Sequence, residues 1–468
     1  MASEPQVAPG PSGLEAMGLL ARIGRDPLRG FLSLRDRYGP AARLPGPIPQ
    51  TIFFSPAAVE QVLITQNKSF GRGLLNAQFQ LLDGVGLVTS EGDLWIRQRR
   101  MAQPLFHRQK LGALGAVMAE ETGRGVERWA THARDGRPFN VIPELMKLTL
   151  QSASRTLFGV TLDGSAARIG PAVDVARAYL TWRTKFAFLP AWFPGPGSFR
   201  FRRAKRTLDD VVFGLIAQRR REGTAGRADL LSLFIEATDA DTGATMDDRQ
   251  VRDEVMTLLM AGHESTAVTL SWAFFLLGRH PDIQRKVRDE VDAVTGGRAP
   301  AAEDVPKLPY LRMVLDETLR LYPPVWAMSR QAIEDAVIGD VRVPRGEHVM
   351  LMQWAVHRDP TVWDAPEEFR PERFAPAAAE GRSRGVYFPF GAGPRSCIGN
   401  HFALMEAMLV TATTVQRYEL SVAADHPQVL EPQVSLRIQG GVWVTLRERA
   451  SHPLAAAAST ANAVTATA

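Results

Sequence analysis

The 468-residue sequence predicts a mainly α-helical protein with a minor β portion, built as one large domain. Apolar residues recur at helical spacing through most of the chain, whereas the short runs typical of strands lie near its two ends. No linker and no internal repeat divides the sequence into independent units. We therefore expect one folded domain over residues 14–448, between a flexible N-terminal tail of residues 1–13 and a disordered, Ala/Ser/Thr-rich tail of residues 449–468.

Each predicted element follows from apolar periodicity and from the glycine, proline or polar residues that end it. The predicted helices cover residues 14–38, 56–67, 91–100, a helical stretch over 110–223, then 245–278, 282–294, 308–322 and 401–417. The predicted strands lie within residues 42–44, 51–54, 332–352, 434–436 and 442–446.

Two connections between these elements have more than one reading. Residues 70–88 are apolar and interrupted by glycines, which fits either the wall of a pocket or an ordinary packed loop. Residues 186–197 are rich in aromatic residues and proline, which fits either a mobile lid over an apolar pocket or a loop pinned into the core.

Composition excludes several classes of protein. The chain carries 55 basic and 50 acidic residues, and this modest net charge of +5 comes without any nucleic-acid-binding motif, so we expect no nucleic-acid partner. One cysteine excludes an intramolecular disulfide and fits a reducing compartment. No signal peptide and no apolar run of about 18 residues is present, so we expect a cytoplasmic protein without a transmembrane anchor. We also expect a monomer.

The long helix predicted over residues 245–278 breaks two rules at its centre. Its flanks are apolar on most sides, which is typical of a helix in the middle of a protein. Its centre nevertheless reads Ala-Gly-His-Glu-Ser-Thr over residues 261–266. A glycine inside a helix costs about 1 kcal/mol, and adjacent buried polar groups are costly unless they are satisfied. Both violations at one point favour a functional position, where Gly262 fits either close approach of a ligand or a local bulge, and Glu264 and Ser265 fit a proton relay. The alternative is a polar kink satisfied by water.

The only cysteine, Cys397, lies in the glycine-rich loop of residues 390–399, directly before an apolar run that begins near His401. Backbone N–H groups and the positive end of the following helix are expected to lower the pKa of its thiol. Arg395 places a cation two residues before it. A small buried hydrophobe, an activated nucleophile and a metal ligand all remain possible from the loop alone.

Two further pairs are spaced for contact along a helix. Trp95 and Arg99 are four residues apart and share one face, so both can donate to a carboxylate, or the arginine stem can simply pack on the indole. Glu317 and Arg320 are spaced i,i+3, which alone describes a common surface ion pair. The later segment of residues 369–374 supplies Arg373 as a candidate buried arginine.

Taken together in this chain order, these motifs resemble those of the cytochrome P-450 haem-thiolate monooxygenases, of the soluble bacterial type, over about residues 14–448. The cysteine loop matches the Phe-x-x-Gly-x-Arg-x-Cys-x-Gly pattern of that family at Phe390, Gly393, Arg395, Cys397 and Gly399. The resemblance implies the cytochrome P-450 fold, a single triangular haem domain. One position departs from the family pattern, because Ser265 stands where the long helix usually carries a threonine.

The resemblance also implies roles for individual residues. Cys397 would be the iron ligand of haem b. The other expected haem contacts are Trp95, Arg99, Gly262, Arg330, Phe390, Arg395 and Gly399. Glu264, Ser265 and Thr266 would deliver protons to bound dioxygen, while Glu317, Arg320 and Arg373 would form a buried structural triad.

The implied function is hydroxylation of a lipophilic small molecule, such as a terpenoid, carotenoid, fatty acyl chain or polyketide, with O2 as co-substrate. Electrons would come from separate proteins, a ferredoxin and its reductase, with the basic segment of residues 97–110 as a candidate dock. The expected pocket segments are mostly apolar, and Arg437 hints at one polar contact. The alternatives are a haem-thiolate isomerase or dehydratase that needs no reductase, and a non-enzymatic haem-binding sensor.

Overall fold

The computed structural model describes residues 5–449, except 47, 107, 161–165, 188, 228 and 240. Over these residues the protein is mainly helical with small β-sheets, which confirms the predicted fold class. Its α-helices are α1 (Gly13–Arg25), α2 (Pro27–Tyr38), α3 (Pro56–Glu60), α4 (Asn76–Asp83), α5 (Gly92–Ala102), α6 (Arg108–Glu127), α7 (Ala130–Asp135), α8 (Ile142–Phe158), α9 (Ala166–Lys185), α10 (Ser198–Glu222), α11 (Leu230–Glu236), α12 (Asp248–Arg279), α13 (Pro281–Thr295), α14 (Pro309–Leu321), α15 (Gln353–Val356), α16 (Pro376–Ala379) and α17 (Asn400–Arg417).

The strands join residues from distant parts of the sequence. They are β1 (Ala41–Leu44), β2 (Gln50–Phe53), β3 (Phe70–Arg72), β4 (Phe139–Asn140), β5 (Met328–Ala332), β6 (Ala336–Ile338), β7 (Val341–Val343), β8 (His348–Leu351), β9 (Tyr418–Ser421), β10 (Leu430–Pro432), β11 (Leu436–Ile438) and β12 (Trp443–Glu448). The largest sheet has the order β1-β2-β8-β5-β3, with β2 and β8 parallel and the other pairs antiparallel. Smaller sheets are β4-β12-β9, β10-β11 and β6-β7.

Helix α12 runs through the hydrophobic core, as its apolar flanks predict. It begins where the sequence indicates, because the Asp247 side chain accepts a hydrogen bond from the Gln250 backbone N–H at 2.7 Å. Its C-terminal half is almost completely buried, and Trp272 stacks on Tyr322 with ring centroids 3.8 Å apart. Within the described residues, none of the helices is sufficiently long and apolar to cross a membrane.

The N-terminal region differs from its prediction in two ways. The single helix expected over residues 14–38 is two helices, because Asp26 caps the N-terminus of α2 and Pro27 cannot continue α1. Residues 5–12, expected within a loose tail, lie against the sheet region, where Gln6 pairs with Val341 and the Pro9 carbonyl accepts from the Arg43 N–H. Residues 1–4 and 450–468 of the two expected tails lie outside the described residues.

Candidate functional site

The cysteine loop is held by its own backbone and by a neighbouring helical turn. The Cys397 N–H donates to the Phe390 carbonyl at 2.8 Å, which closes the loop ahead of α17. Gly393 lies in the left-handed region at φ +68°, and a Cβ built there would come within 1.9 Å of the Leu63 carbonyl oxygen. Only glycine therefore allows the loop to pack this closely against the π-helical turn of residues 61–65.

The Cys397 side chain lies deep within the protein, yet part of its surface is not covered by other residues. Its thiol therefore faces an internal space. Burial raises its pKa above the usual range, while the Gly399 backbone N–H and the Arg99 guanidinium oppose that rise. The expectation of a lowered thiol pKa was wrong, because desolvation outweighs both favourable groups. An isolated thiol here is therefore a weak nucleophile, and a bound metal ion would supply the positive charge that stabilises its thiolate.

Positive charge accumulates beside the cysteine loop. Arg72, Arg330 and Arg395 lie close enough to affect one another, with Glu91 as the neighbouring carboxylate. Burial first, and then the neighbouring arginines, lowers the pKa of Arg72 to about 9 and that of Arg330 to about 10. None of the three arginines forms an ion pair with any described carboxylate. Such a half-buried, uncompensated group of cations favours a ligand that carries carboxylates.

Sequence reasoning missed Arg72, which belongs to no recognisable motif. It stands on β3 directly opposite Arg330 on β5, and this register exists only once the two strands pair. Its guanidinium donates to the Leu87 carbonyl at 3.0 Å. Arg72 therefore joins the predicted cofactor contacts as a candidate.

The predicted Trp95 and Arg99 pair lies at the same place on α5. The Arg395 guanidinium sits over the Trp95 ring, 4.3 Å from its centroid. Arg99 donates to the Ser396 carbonyl at 2.9 Å and lies beside Cys397. Both residues thus contact the cysteine loop, and burial is the main cause that lowers the pKa of Arg99.

Glu317, Arg320 and Arg373 come together in the core, as the family resemblance implies, and Glu317 and Arg320 are not a surface ion pair. The Glu317 carboxylate accepts two hydrogen bonds from Arg320, at 2.7 and 2.8 Å, and both side chains are 0% exposed. Arg373 approaches the same carboxylate at 3.3 Å. Arg320 also donates to the carbonyls of His357, Pro366 and Glu368, which ties α14 to the segment that leads into the cysteine loop.

The centre of α12 presents an open face beside the apolar core. Ala261 is exposed and Gly262 and Ser265 are half-buried, although they lie in the middle of a buried helix. The hydroxyls of Ser265 and Thr266 donate to the carbonyls of Ala261 and Gly262, at 2.7 and 3.0 Å. A Cβ added at Gly262 would meet no protein atom closer than 3.8 Å, so the space beside it is not needed for packing within the protein.

Glu264 is held in an ion pair that the sequence did not predict. Its carboxylate accepts from the Arg437 guanidinium and, at 2.7 Å, from the Ser435 hydroxyl on the segment between β10 and β11. Burial raises the pKa of Glu264, but Arg437, Ser435 and Arg177 together lower it below its ordinary value. Glu264 is therefore charged at neutral pH, and its carboxylate is engaged by Arg437 and Ser435.

Three comparisons bear on this arrangement. A family model described as cytochrome P450 matches residues 8–443. Cyclooctatin synthase of Streptomyces melanosporofaciens is 35% identical over 434 residues, which cover 92% of this chain and 93% of that protein. Cyclooctat-9-en-7-ol 5-monooxygenase of the same organism is 35% identical over 415 residues, 88% of each chain. The chain belongs to the cytochrome P450 family.

The structural comparison agrees. A crystal structure of the cytochrome P450DA heme domain superposes with a TM-score of 0.86 at 26% sequence identity, covering 96% of this chain and 98% of the other. The protein is thus a P450 monooxygenase that hydroxylates a lipophilic small molecule, with haem b as cofactor and with O2 and electrons from redox partners. This result replaces the isomerase, dehydratase and sensor alternatives.

The residues of this P450 fit haem b. The carboxylates of haem need cations, and Arg72, Arg330 and Arg395 form no ion pair among the described residues. Its iron needs a protein ligand, and the Cys397 thiol opens onto the internal space. Gly262 leaves room on the facing helix.

Glu406 is a second residue that sequence reasoning missed, because it is hidden in the apolar pattern of α17. It is fully buried, and the hydroxyls of Ser152 and Thr266 approach its carboxyl group without forming a well-aligned hydrogen bond. Burial is the largest cause that raises its pKa to about 8, so this P450 keeps a neutral carboxylic acid beside Thr266 at pH 7.

The expected pocket wall of residues 70–88 is clamped to α12. The Asp253 carboxylate accepts from the Val85 N–H at 2.8 Å, and Glu254 accepts from the Leu87 N–H at 3.0 Å. The Arg252 guanidinium donates to the Leu82 carbonyl at 2.8 Å. Three consecutive α12 side chains thus fix this part of the wall.

Two buried carboxyl groups, one on each side of this contact, predict a pH dependence of the free energy of unfolding. They belong to Asp83, at the end of α4, and to Glu254 on α12. Burial, as the largest cause, raises the pKa of Asp83 to about 7 and that of Glu254 to about 8. The folded protein then holds protons that the unfolded chain releases near pH 4, so each contribution is largest at low pH and is lost as pH rises through the raised pKa. We expect the free energy of unfolding to fall from about pH 5 to pH 8, by at most about 1.4 kcal/mol per pH unit for each group.

Asp83→Asn and Glu254→Gln should each make this decline shallower. Urea unfolding at about one-unit pH intervals measures the slope, and the exposed Glu380→Gln provides the control. Equal slopes in all four proteins would contradict the assignment of these two protons.

The aromatic connection of residues 186–197 is pinned, which favours the second of its two readings. Arg183 is 0% exposed and donates to the carbonyls of Leu189, Pro190 and Phe193 at 2.8–3.1 Å. Gln78, which also accepts from Arg183, donates to the carbonyls of Ala187 and Leu189. These bonds hold the described part of the connection against α4.

The basic segment of residues 97–110 is less available than its sequence suggests. Arg97 donates to Gln250, and Arg100 is paired with Asp239 and Asp241. Two of the cations expected to dock an acidic protein are therefore already satisfied within the chain.

Proposed function

We propose that this P450 hydroxylates a terpenoid in the cytoplasm, as a monomer, with electrons from a ferredoxin and its reductase. The observation that supports the substrate class is the 35% identity, over 88% of each chain, with a relative named as a monooxygenase of cyclooctat-9-en-7-ol. The mostly apolar pocket segments agree with a lipophilic substrate.

The roles of the residues near the cofactor follow from their positions. Cys397 would hold the iron, and Arg72, Arg330, Arg395, Trp95 and Arg99 would hold the carboxylates of the haem. When bound, haem b supplies the centre at which O2 is activated, and a cysteine thiolate favours cleavage of the O–O bond. Phe390 and Gly399 shape the loop around the ligand.

Proton delivery rests on α12. The Ser265 and Thr266 hydroxyls are oriented by the carbonyls to which they donate, so their oxygen atoms can accept a hydrogen bond from a proton donor. Ser265 does so on the open face of α12, whereas Thr266 is buried beside Glu406. Glu264, which is ionised, can take up a proton from solvent and pass it to these hydroxyls once its Oε1 is released from Arg437 and Ser435. Serine at position 265 keeps the hydroxyl that this task requires.

Replacing Glu264 by glutamine should lower the rate of product formation by at least about tenfold while haem content stays unchanged, because proton transfer by a positioned acid contributes about 10²-fold or more. Glutamine keeps hydrogen-bonding atoms for Ser435 but cannot carry a transferable proton. NADPH oxidation and product are measured together with a surrogate ferredoxin pair. Unchanged product formation would remove Glu264 from the relay, and the exposed Glu380→Gln serves as the control.

A titration against a panel of lipophiles tests the substrate class. Terpenoids should shift the haem spin state at lower concentration than fatty acyl chains or polyketides of equal size, and turnover should add one oxygen atom. Tighter binding and faster oxidation of another lipophile class would overturn the terpenoid assignment.

A further inference from the structure

A charged cluster lies where α9, α12 and the β10–β11 hairpin meet. Arg177 of α9 donates to the Gln433 side chain at 3.2 Å, and Arg437 of β11 donates to Glu264 of α12. The side chains of Arg437 and Glu264 are only 12% and 11% exposed, and that of Arg177 is 20% exposed. Arg437 therefore contacts the Glu264 carboxylate, and the charge of Arg177 acts on it, at a point two residues along α12 from Gly262.

The positive charge of Arg177 is only partly compensated. Its ion-pair partner Asp174 stands 3.8 Å away, with a side chain 66% exposed to water, which screens the pair. Glu264 and Glu431 also act on Arg177, each more weakly than Arg437 opposes them, and Glu431 stands opposite Arg437 in the β10–β11 hairpin. Burial and then Arg437 lower the pKa of Arg177, as expected for two like charges that share one site. Arg177 therefore has no well-buried counter-charge of its own.

The cluster also has unused hydrogen-bond donors. The Nε–H of Arg177 is buried and has no acceptor among the described residues. Arg437 uses Nε for Ser435 and Nη2 for Glu264, and its Nη1 has no partner among the described atoms. Buried donors are normally satisfied, so this pair of arginines is incomplete without an acceptor.

The surroundings identify what such an acceptor would be attached to. On α9 Val173, Ala176 and Leu180 are 2%, 0% and 5% exposed, so they pack in the core and are not open to a ligand. On α12 the open face of Ala261, Gly262 and Ser265 adjoins Glu264. A lipophilic molecule that lies along this face and carries one anionic oxygen group would reach the cluster.

We infer that Arg177 and Arg437 form a recognition site for a carboxylate on an otherwise apolar substrate. The inference rests on the proposed function, because it names a feature of the terpenoid that this P450 takes. A charge-assisted hydrogen bond to a guanidinium is about twice as strong as a neutral one, so the acid is preferred to its ester. A substrate of this kind comes from a reaction that creates or releases a carboxyl group, such as oxidation of an aldehyde or hydrolysis of an ester, and this enzyme would then hydroxylate a carbon elsewhere in the skeleton.

The test compares acids with their methyl esters. Farnesoic, abietic and palmitic acids and their methyl esters are titrated into the haem-loaded protein by isothermal calorimetry. We expect at least one acid to bind about tenfold or more tightly than its ester, with an affinity that falls as salt is raised. Failure of every acid to exceed its ester would overturn the inference.

Arg177→Gln locates the effect, because it leaves the Arg437–Glu264 pair intact. This variant should lose the acid preference, whereas Arg168→Gln, an exposed arginine on the same helix, should keep it. Arg177→Lys, which keeps the charge, should retain part of the preference and serves if the glutamine variant does not fold. A preference that survives both substitutions of Arg177 would place the anion elsewhere and contradict the inference.

Calorimetry also separates this inference from the proposed function. An acid preference located at Arg177, found for palmitic acid and not for the terpenoid acids, would support the carboxylate site and remove the terpenoid assignment. Terpenoid turnover without any preference for acids over esters would support the terpenoid assignment and remove the carboxylate site.

Discussion

Replacing Glu317 with glutamine will lower the free energy of unfolding by about 3–5 kcal/mol, the usual cost of removing one partner of a buried ion pair. Glu317 and Arg320 are both 0% exposed, and Arg373 approaches the same carboxylate. The glutamine would leave two arginines without a counter-charge in a place that water does not reach. Urea unfolding monitored by circular dichroism measures the change.

The same substitution at an exposed ion pair provides the control. Glu419 pairs with Arg447 across β9 and β12, where the two side chains are 48% and 79% exposed. Glu419→Gln should cost less than about 1 kcal/mol, because solvent screens such pairs. Equal losses in the two variants would show that burial of Glu317 contributes nothing particular to stability.

Replacing Gly393 with alanine will destabilise the protein by about 2–5 kcal/mol and will lower its haem content. A left-handed backbone costs alanine about 1–2 kcal/mol, and overpacking adds about 1–3 kcal/mol. The new Cβ would lie 1.9 Å from the Leu63 carbonyl oxygen, so the loop that carries Cys397 must move.

Gly381 separates the two contributions. It has nearly the same positive φ, +73° against +68°, but a Cβ there would meet no atom within 4 Å. Gly381→Ala should therefore show the backbone cost alone and keep its full haem content. A Gly393→Ala variant that matches it in stability and haem content would contradict the close packing of the cysteine loop.

The sequence was most informative where function depends on local spacing. The cysteine loop, the polar centre of α12 and the Glu317–Arg320 pair each lie on one element, so their residues are brought together by that element alone. The split between α1 and α2 was missed, although Asp26 and Pro27 are a standard helix start.

Tertiary contacts account for what sequence reasoning missed. Arg72 meets Arg330 only through strand register, and Arg437 meets Glu264 only because the C-terminal hairpin returns to α12. Glu406 lies at a buried position of α17, and no neighbouring residue in the sequence indicates that its carboxyl group has a role. The sign of the Cys397 pKa shift was wrong because burial depends on the whole fold, whereas helix dipoles and backbone donors can be inferred locally.

The ferrous–CO absorption spectrum tests the central claim, that Cys397 binds haem iron as a thiolate, most directly. We predict that the reduced, CO-treated wild type shows the red-shifted Soret band typical of thiolate ligation. Cys397→Ala should lack this band, while a folded helical protein remains by circular dichroism. A wild type without the band, or a Cys397→Ala variant that retains it, would contradict this account of the site.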